Sequence, residues 1–209
     1  MRTMKNIGGV SLVAVVLAMG VLEAQDRRAS PRGRTSTEIG GSYDSEGSYG
    51  GGHWVDIYYG RPVLRGRQGI FGSGAEYGQG LLRGAPIWRM GADQTTRFLT
   101  EADLLIGGER LAAGEYTMFA ELESPSSWTL IFSTWGVKDN PREENSNALW
   151  GAYGYTDEKD VMRTTMTVQA IEGFSVDNLT IVFGDTNGSY GMNVYWDNQH
   201  AHVPVEVAN

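Results

Sequence analysis

The stretch DLLIGGERLAAGEYTMFAEL, residues 103–122, decides the fold class. Asp103 to Ile106 and Glu109 to Leu111 are short runs separated by Gly107-Gly108. Glycine accepts the positive φ of a two-residue hairpin turn, so the runs read as two antiparallel strands. Ala113-Gly114 turns the chain again, and Glu115 to Leu122 is a third strand. No sustained helical apolar period appears here or elsewhere from residue 53 onward, so helices do not build the core.

Outward from this stretch the period of two continues. Trp54 to Tyr59 sets Val55, Ile57 and Tyr59 against Trp54, Asp56 and Tyr58. Val161 to Ala170 sets Met162, Thr164, Met166 and Val168 against Arg163, Thr165, Thr167 and Gln169. Arg97 to Thr100, Trp128 to Ser133, Leu179 to Phe183, Gly191 to Trp196 and His200 to Val207 read as further strands. Roughly eight to ten short strands with turns at this spacing fit a sandwich or a barrel. The expectation is an all-β, antiparallel β-sandwich or jelly-roll-like domain with long Gly-rich loops, because strands with one polar face pack naturally as two sheets. Residues 60–84 are glycine-rich and 135–149 are polar, and neither has a strand pattern. Loops of that length in a compact domain are usually functional or packed as lids.

At the N-terminus, Arg2 and Lys5 precede an apolar run from Ile7 to Leu22 that Gly8, Gly9, Ser11 and Gly20 interrupt. A spanning helix needs roughly 20 apolar residues. The layout is that of a secretory signal peptide over residues 1–24, with cleavage after Gly20 or Ala24. Residues 25–52, rich in Gly, Ser and Arg, offer little apolar surface to offset the entropy of ordering and are expected to form a flexible linker. That leaves residues 53–209 as a single domain, exported to the periplasm or beyond, with no membrane span after cleavage.

The chain has no cysteine, which excludes disulfides, thiolate metal sites and cysteine nucleophiles. Its net charge is −8, and from His53 onward 11 basic and 20 acidic residues give −9. Such a surface does not suit nucleic acid, whose phosphates need a basic face. Lys138 and Lys159 are the only lysines among those bases. The arginines bring planar forks suited to ion pairs or anions. A monomer without a cofactor is expected.

Four clusters exceed what a scaffold needs: Tyr59-Gly60-Arg61-Pro62 with Arg65-Gly66-Arg67 and Ile70-Phe71-Gly72; Ile87-Trp88-Arg89-Met90-Gly91-Ala92-Asp93-Gln94-Thr95-Thr96; Ala113-Gly114-Glu115-Tyr116; and Leu149-Trp150-Gly151-Ala152-Tyr153 continuing to Asp160-Val161-Met162-Arg163. Their order (Y-x-R-P, W-R-x-G-A-D, A-G-x-Y, W-G-A-Y, D-V-M-R) resembles a bacterial exported family, domain of unknown function 2911, from about His53 to Val207. The resemblance implies export and a compact β domain, and it supplies no activity. The chain departs from the family pattern in longer stretches around 72–80 and 139–147.

The residues themselves allow two readings. In the first, Arg61, Arg67 and Arg89 hold a small anionic or sugar ligand, with Asp93, Thr95, Asp160 and Arg163 nearby and Trp88, Trp150 and Tyr153 as an apolar wall. In the plainer one, the arginines pair with aspartates to pin long loops, and the tryptophans fill the core. The expected role is a binding or envelope-associated accessory module. The alternative is a secreted glycan hydrolase using Asp93 and Asp160 as its two carboxylates. No nucleophile elbow or phosphate-binding loop occurs. His200 and His202 share one strand face with Glu206, but Ala201, Val203, Val205 and Val207 form the core-facing set, which turns the histidines to solvent. No metal site is expected from them, and the acidic loops lack the calcium-loop spacing.

Overall fold

The structure, a computed structural model, describes residues 29–208. The expected signal peptide, 1–24, lies outside the described residues, as do residues 25–28. The strands are β1 (Arg32–Ile39), β2 (Ser42–Tyr43), β3 (Tyr49–Gly50), β4 (His53–Gly60), β5 (Thr96–Thr100), β6 (Leu104–Ile106), β7 (Glu109–Leu111), β8 (Gly114–Ser124), β9 (Ser127–Ser133), β10 (Gly136–Val137), β11 (Ala148–Leu149), β12 (Asp160–Ala170), β13 (Val176–Thr186), β14 (Ser189–Asp197) and β15 (Gln199–Val207). One turn of helix, α1 (Gln79–Leu82), interrupts the long loop between β4 and β5.

The all-β, antiparallel expectation holds, with one difference of architecture. Eleven of the strands form one sheet rather than two facing sheets, in the order β1-β4-β5-β8-β9-β12-β15-β14-β13 with the β6–β7 hairpin attached to β15, while β2–β3 and β10–β11 form two small two-stranded ladders. This sheet curls until its two ends meet. The chain beyond β4 runs against the start of β13: the Leu64 N–H donates to the Asp177 carbonyl at 2.7 Å, and Leu179 N–H to the Pro62 carbonyl at 3.0 Å. The Ile181 N–H donates to the Tyr59 hydroxyl at 3.0 Å, and the Thr35 hydroxyl donates to the Ile181 carbonyl. The result is nearly a barrel. Closing a sheet this way removes exposed edges that would otherwise pair with other chains.

The linker expectation fails from Arg32 onward. Arg32–Ile39 pairs with β4 along its whole length, from Arg32 opposite Gly60 to Ile39 opposite His53. The segment has too few apolar residues to fold alone, and it is held by the backbone ladder of a neighbour that is already ordered. Arg34 adds a 2.9 Å ion pair to Asp56. The folded unit therefore begins by Arg32, not at His53.

Inside the curled sheet lie Val55, Ile57, Phe98, Met118, Trp128, Leu130, Phe132, Met166, Ile181, Val194 and Val203, all nearly inaccessible. Each such burial contributes roughly 1.5–3 kcal/mol. A second, smaller cluster sits outside β8 and β9, where Ile87, Phe119, Ile131, Trp135, Leu149, Ala152 and Tyr155 pack together. The irregular segment 134–159 and the 85–87 turn cover this face. Those two segments also frame the site described next.

Candidate functional site

The loop between β4 and β5 packs inward. It drops Phe71, Tyr77, Trp88 and Met90 into the core. Phe71 stacks on Trp128 with ring centres 5.4 Å apart, and Trp88 lies parallel to Trp196 at 6.3 Å. The Trp128 indole N–H donates to the Tyr77 hydroxyl at 2.8 Å. Trp88 exchanges two backbone hydrogen bonds with Ala120 of β8, at 3.0 and 2.9 Å. These contacts fix the loop on the sheet. The loop's return turn packs so closely on β4 that a Cβ at Gly60 would lie 1.9 Å from the Ala92 carbonyl oxygen.

Over this aromatic layer opens a cleft of about 350 Å³ whose lining includes Arg67, Arg83, Trp88, Arg89, Asp93, Tyr153 and Trp196. Arg89 is its central feature. The residue is only 8% exposed. Its Nη1 donates to the Asp93 carbonyl at 3.1 Å, and its guanidinium lies 5.1 Å from the Tyr153 ring centre. Met90 and Asp93 take left-handed backbone angles, with φ of 48° and 61°, which reverse the chain and bring that carbonyl back. Gly151 packs on the guanidinium: a Cβ there would lie 2.4 Å from Nη1, and its own φ is 64°. A side chain at that position would displace Arg89. The Tyr153 hydroxyl donates to the Arg83 carbonyl at 3.0 Å, which ties the two rims together.

The charge in the cleft runs against that of the protein. Three arginines and one carboxylate, Asp93, line it. Among the described residues, none of Arg61, Arg65, Arg67, Arg83 and Arg89 makes an ion pair. The Trp196 indole N–H, also part of a lining residue, is buried without a hydrogen-bond partner. An unpaired buried cation and an unpaired donor are both costly in isolation. Chemically, the arrangement can accept an anion.

The sequence-predicted residues divide among several places. Trp88, Arg89, Asp93, Tyr153 and Arg67 share the cleft. Arg67 also braces its own loop, donating to the carbonyls of Leu64 and Val63 at 2.9 Å each. Arg61 is at the barrel seam instead, where Nε donates to the Leu179 carbonyl at 3.2 Å. The Thr95 hydroxyl lies 2.8 and 2.7 Å from the Leu149 and Gly151 carbonyls, so it positions the loop that carries Gly151. Trp150 is half-buried beside Tyr153 and is outside the cleft lining.

Asp160 and Arg163 line a different, open cleft with Pro86, Ile87, Glu121, Tyr155 and Asp157. The Tyr155 hydroxyl and Arg163 Nη1 donate to Asp160 Oδ2 at 2.7 and 2.8 Å, and Arg163 also pairs with Glu121. Burial pushes the Asp160 carboxyl above its usual range, although both hydrogen bonds pull the other way. Burial, reinforced by the bond to Asp160, also raises the Tyr155 phenol. Asp93 and Asp160 thus share no cavity, and the paired-carboxylate arrangement that a glycan hydrolase requires is not formed. The expectation of Arg–Asp pairs holds for Arg163 but not for Arg61, which bonds the Leu179 carbonyl and the Thr180 hydroxyl, or for Arg67, whose partners are backbone carbonyls.

Arg83 and Trp196 are cleft residues that the sequence does not single out. Arg83 follows the short helix α1 and precedes Gly84, a loop position like those of the other arginines. Trp196 ends a strand pattern and reads as core; only the parallel packing against Trp88 places it at the cleft. The histidines also differ from expectation. His200 and His202 are half-buried rather than solvent-facing, because Asn193 on β14 draws both rings against the sheet.

No curated protein and no solved structure matches the chain. The family model described as a protein of unknown function (DUF2911) matches residues 44–205, which takes in the whole arginine cleft except Ser30, and the chain belongs to that family.

Proposed function

We propose that this protein is an exported binding module whose Arg67–Arg83–Arg89 cleft takes a small anionic ligand through a carboxylate or phosphate group. The observation that carries the reading is Arg89, a nearly buried guanidinium with no carboxylate partner among the described residues. Arginine's planar fork suits two-point contact with carboxylate or phosphate oxygens. One of its nitrogens is occupied by the Asp93 carbonyl, and Tyr153 and Gly151 hold the group in place, so little ordering remains to be paid for on binding. The export half of the proposal rests on residues 1–24, whose basic head and short apolar run have the composition of a signal peptide.

Thermal unfolding of the full chain, with and without millimolar phosphate, acetate and glucuronate at constant ionic strength, tests the reading. A ligand that binds only the native state raises the melting temperature in proportion to the logarithm of its concentration. An increase in wild type that Arg89→Lys reduces is the expected result. Equal melting temperatures under all conditions would remove the proposal.

A further inference from the structure

A second site lies on the outer face of the sheet, away from the arginine cleft. Asn193 is in the middle of β14 and 2% exposed. Its Nδ2 donates to the carbonyls of Gly184 and Gly191 at 3.2 and 3.3 Å, which sets the amide's orientation and leaves Oδ1 facing the neighbouring strand. On β15, His202 stands directly opposite Asn193, and His200, two residues away, shares its face. His200 Nε2 lies 2.8 Å from Asn193 Oδ1, and His202 Nδ1 lies 3.1 Å from it. The Thr186 hydroxyl donates to the same oxygen at 2.7 Å. An amide oxygen has two lone pairs. Three groups therefore converge on an acceptor that serves two well.

These spacings, within hydrogen-bond range, are also those of neighbouring ligands on one metal ion. Ligands bound about 2.1 Å from one six-coordinate ion are separated by about 3 Å along each edge of the octahedron. Both N···O separations fall close to that edge. We propose that His200 Nε2, His202 Nδ1 and Asn193 Oδ1 bind a borderline divalent transition-metal ion of the Zn²⁺ and Ni²⁺ class. Among the described residues no three His, Cys, Asp or Glu side chains gather at one point, so the amide oxygen is what completes the ligand set.

The surroundings support the assignment. Ligating histidines usually donate their second ring N–H to a nearby acceptor, which fixes the tautomer. The Ser189 hydroxyl oxygen lies 3.3 Å from His202 Nε2 and can fill that role. The His200 ring is held by parallel stacking on Tyr195, with centres 4.3 Å apart. Burial disfavours the charged form of both histidines and so favours the neutral form that ligates. Asp185, whose charge acts on His202 in the opposite sense, adds negative charge beside the site. The Thr186 hydroxyl and water are available for the remaining positions.

Titration of the full chain, labelled with ¹⁵N-histidine, with Zn²⁺ tests the site by NMR. The expected result is saturable movement of the His200 Nε2 and His202 Nδ1 resonances at one equivalent, with His53 unmoved. His200→Gln and His202→Gln should each weaken binding by about tenfold or more. Asn193→Asp, isosteric but charged, should tighten it. Unmoved His200 and His202 resonances in wild type at excess Zn²⁺ would overturn the proposal, whether or not the variants fold. So would Zn²⁺ affinity that survives in both folded histidine variants.

Discussion

The guanidinium of Arg89 lies over the ring of Tyr153, 5.1 Å from its centre, and the hydroxyl of the same tyrosine holds the Arg83 carbonyl at 3.0 Å. One side chain thus sets the position of one cleft arginine and the backbone of another. A cation over an aromatic face is worth about 0.5–2 kcal/mol. Tyr153→Ala is expected to weaken phosphate or glucuronate binding by about tenfold, since 1.4 kcal/mol is a factor of ten. Tyr153→Phe keeps the ring and should retain most of the affinity. Calorimetric titration of the two variants checks this order.

Arg83 is exposed and lines the cleft, whereas Arg163 is committed to Glu121 and Asp160 in another one. Arg83→Ala should leave stability within about 0.5 kcal/mol of wild type, as for surface substitutions generally. It should nonetheless weaken anion binding several-fold. Arg163→Ala should leave anion binding unchanged. The pair separates a local site from a general effect of removing positive charge, and the same titration reads both.

Gly60 marks where the cleft loop meets β4. A methyl group there would meet the Ala92 backbone at 1.9 Å, and neither partner is a flexible side chain. Gly60→Ala is expected to destabilise the protein by about 3 kcal/mol, at the upper end for overpacking. Urea denaturation followed by tryptophan fluorescence measures it.

The strands were legible in the sequence because their side chains alternate, as in Val161 to Ala170, and because Gly107-Gly108 marks its turn. Closure into one curled sheet was not, since the period of two is identical in a sandwich and a barrel. What decides it is the seam contact of Pro62–Leu64 with Asp177–Leu179, a pairing of backbone groups more than a hundred residues apart. The Arg32–Ile39 strand was missed for a related reason: its polar side chains carry no apolar signal, and its pairing with β4 uses the main chain. In the W-R-x-G-A-D stretch, Trp88, Arg89 and Asp93 line one cleft because a tight reversal joins them. Arg61 and Asp160 were drawn in by residue type alone. Composition does not record that Arg61 bonds a carbonyl of β13 or that Asp160 faces another cleft.

The Asp160 carboxyl has a folded-state pKa raised by burial. Between its unfolded and folded values the native state holds the extra proton, so stability falls as pH rises through that window. The contribution is complete below the unfolded value and lost above the folded one. Asp160→Asn, which cannot ionise, should flatten this part of the stability–pH profile, measured by thermal unfolding from acid to neutral pH. His200 and His202 act in the opposite sense. Their lowered values make stability fall on acidification below the ordinary histidine range.

The most direct measurement is an ¹H–¹⁵N NMR titration of the full chain with inorganic phosphate at constant ionic strength, following the Trp196 indole N–H and the Arg89 side-chain Nε–H. Saturable, parallel movement of both resonances, absent with an equal concentration of chloride, is the result expected of an anion cleft built around Arg89. If both stay fixed while phosphate is raised to tens of millimolar, or if only resonances near Arg163 move, the cleft does not bind anions, and Arg89 serves to hold its loop in place.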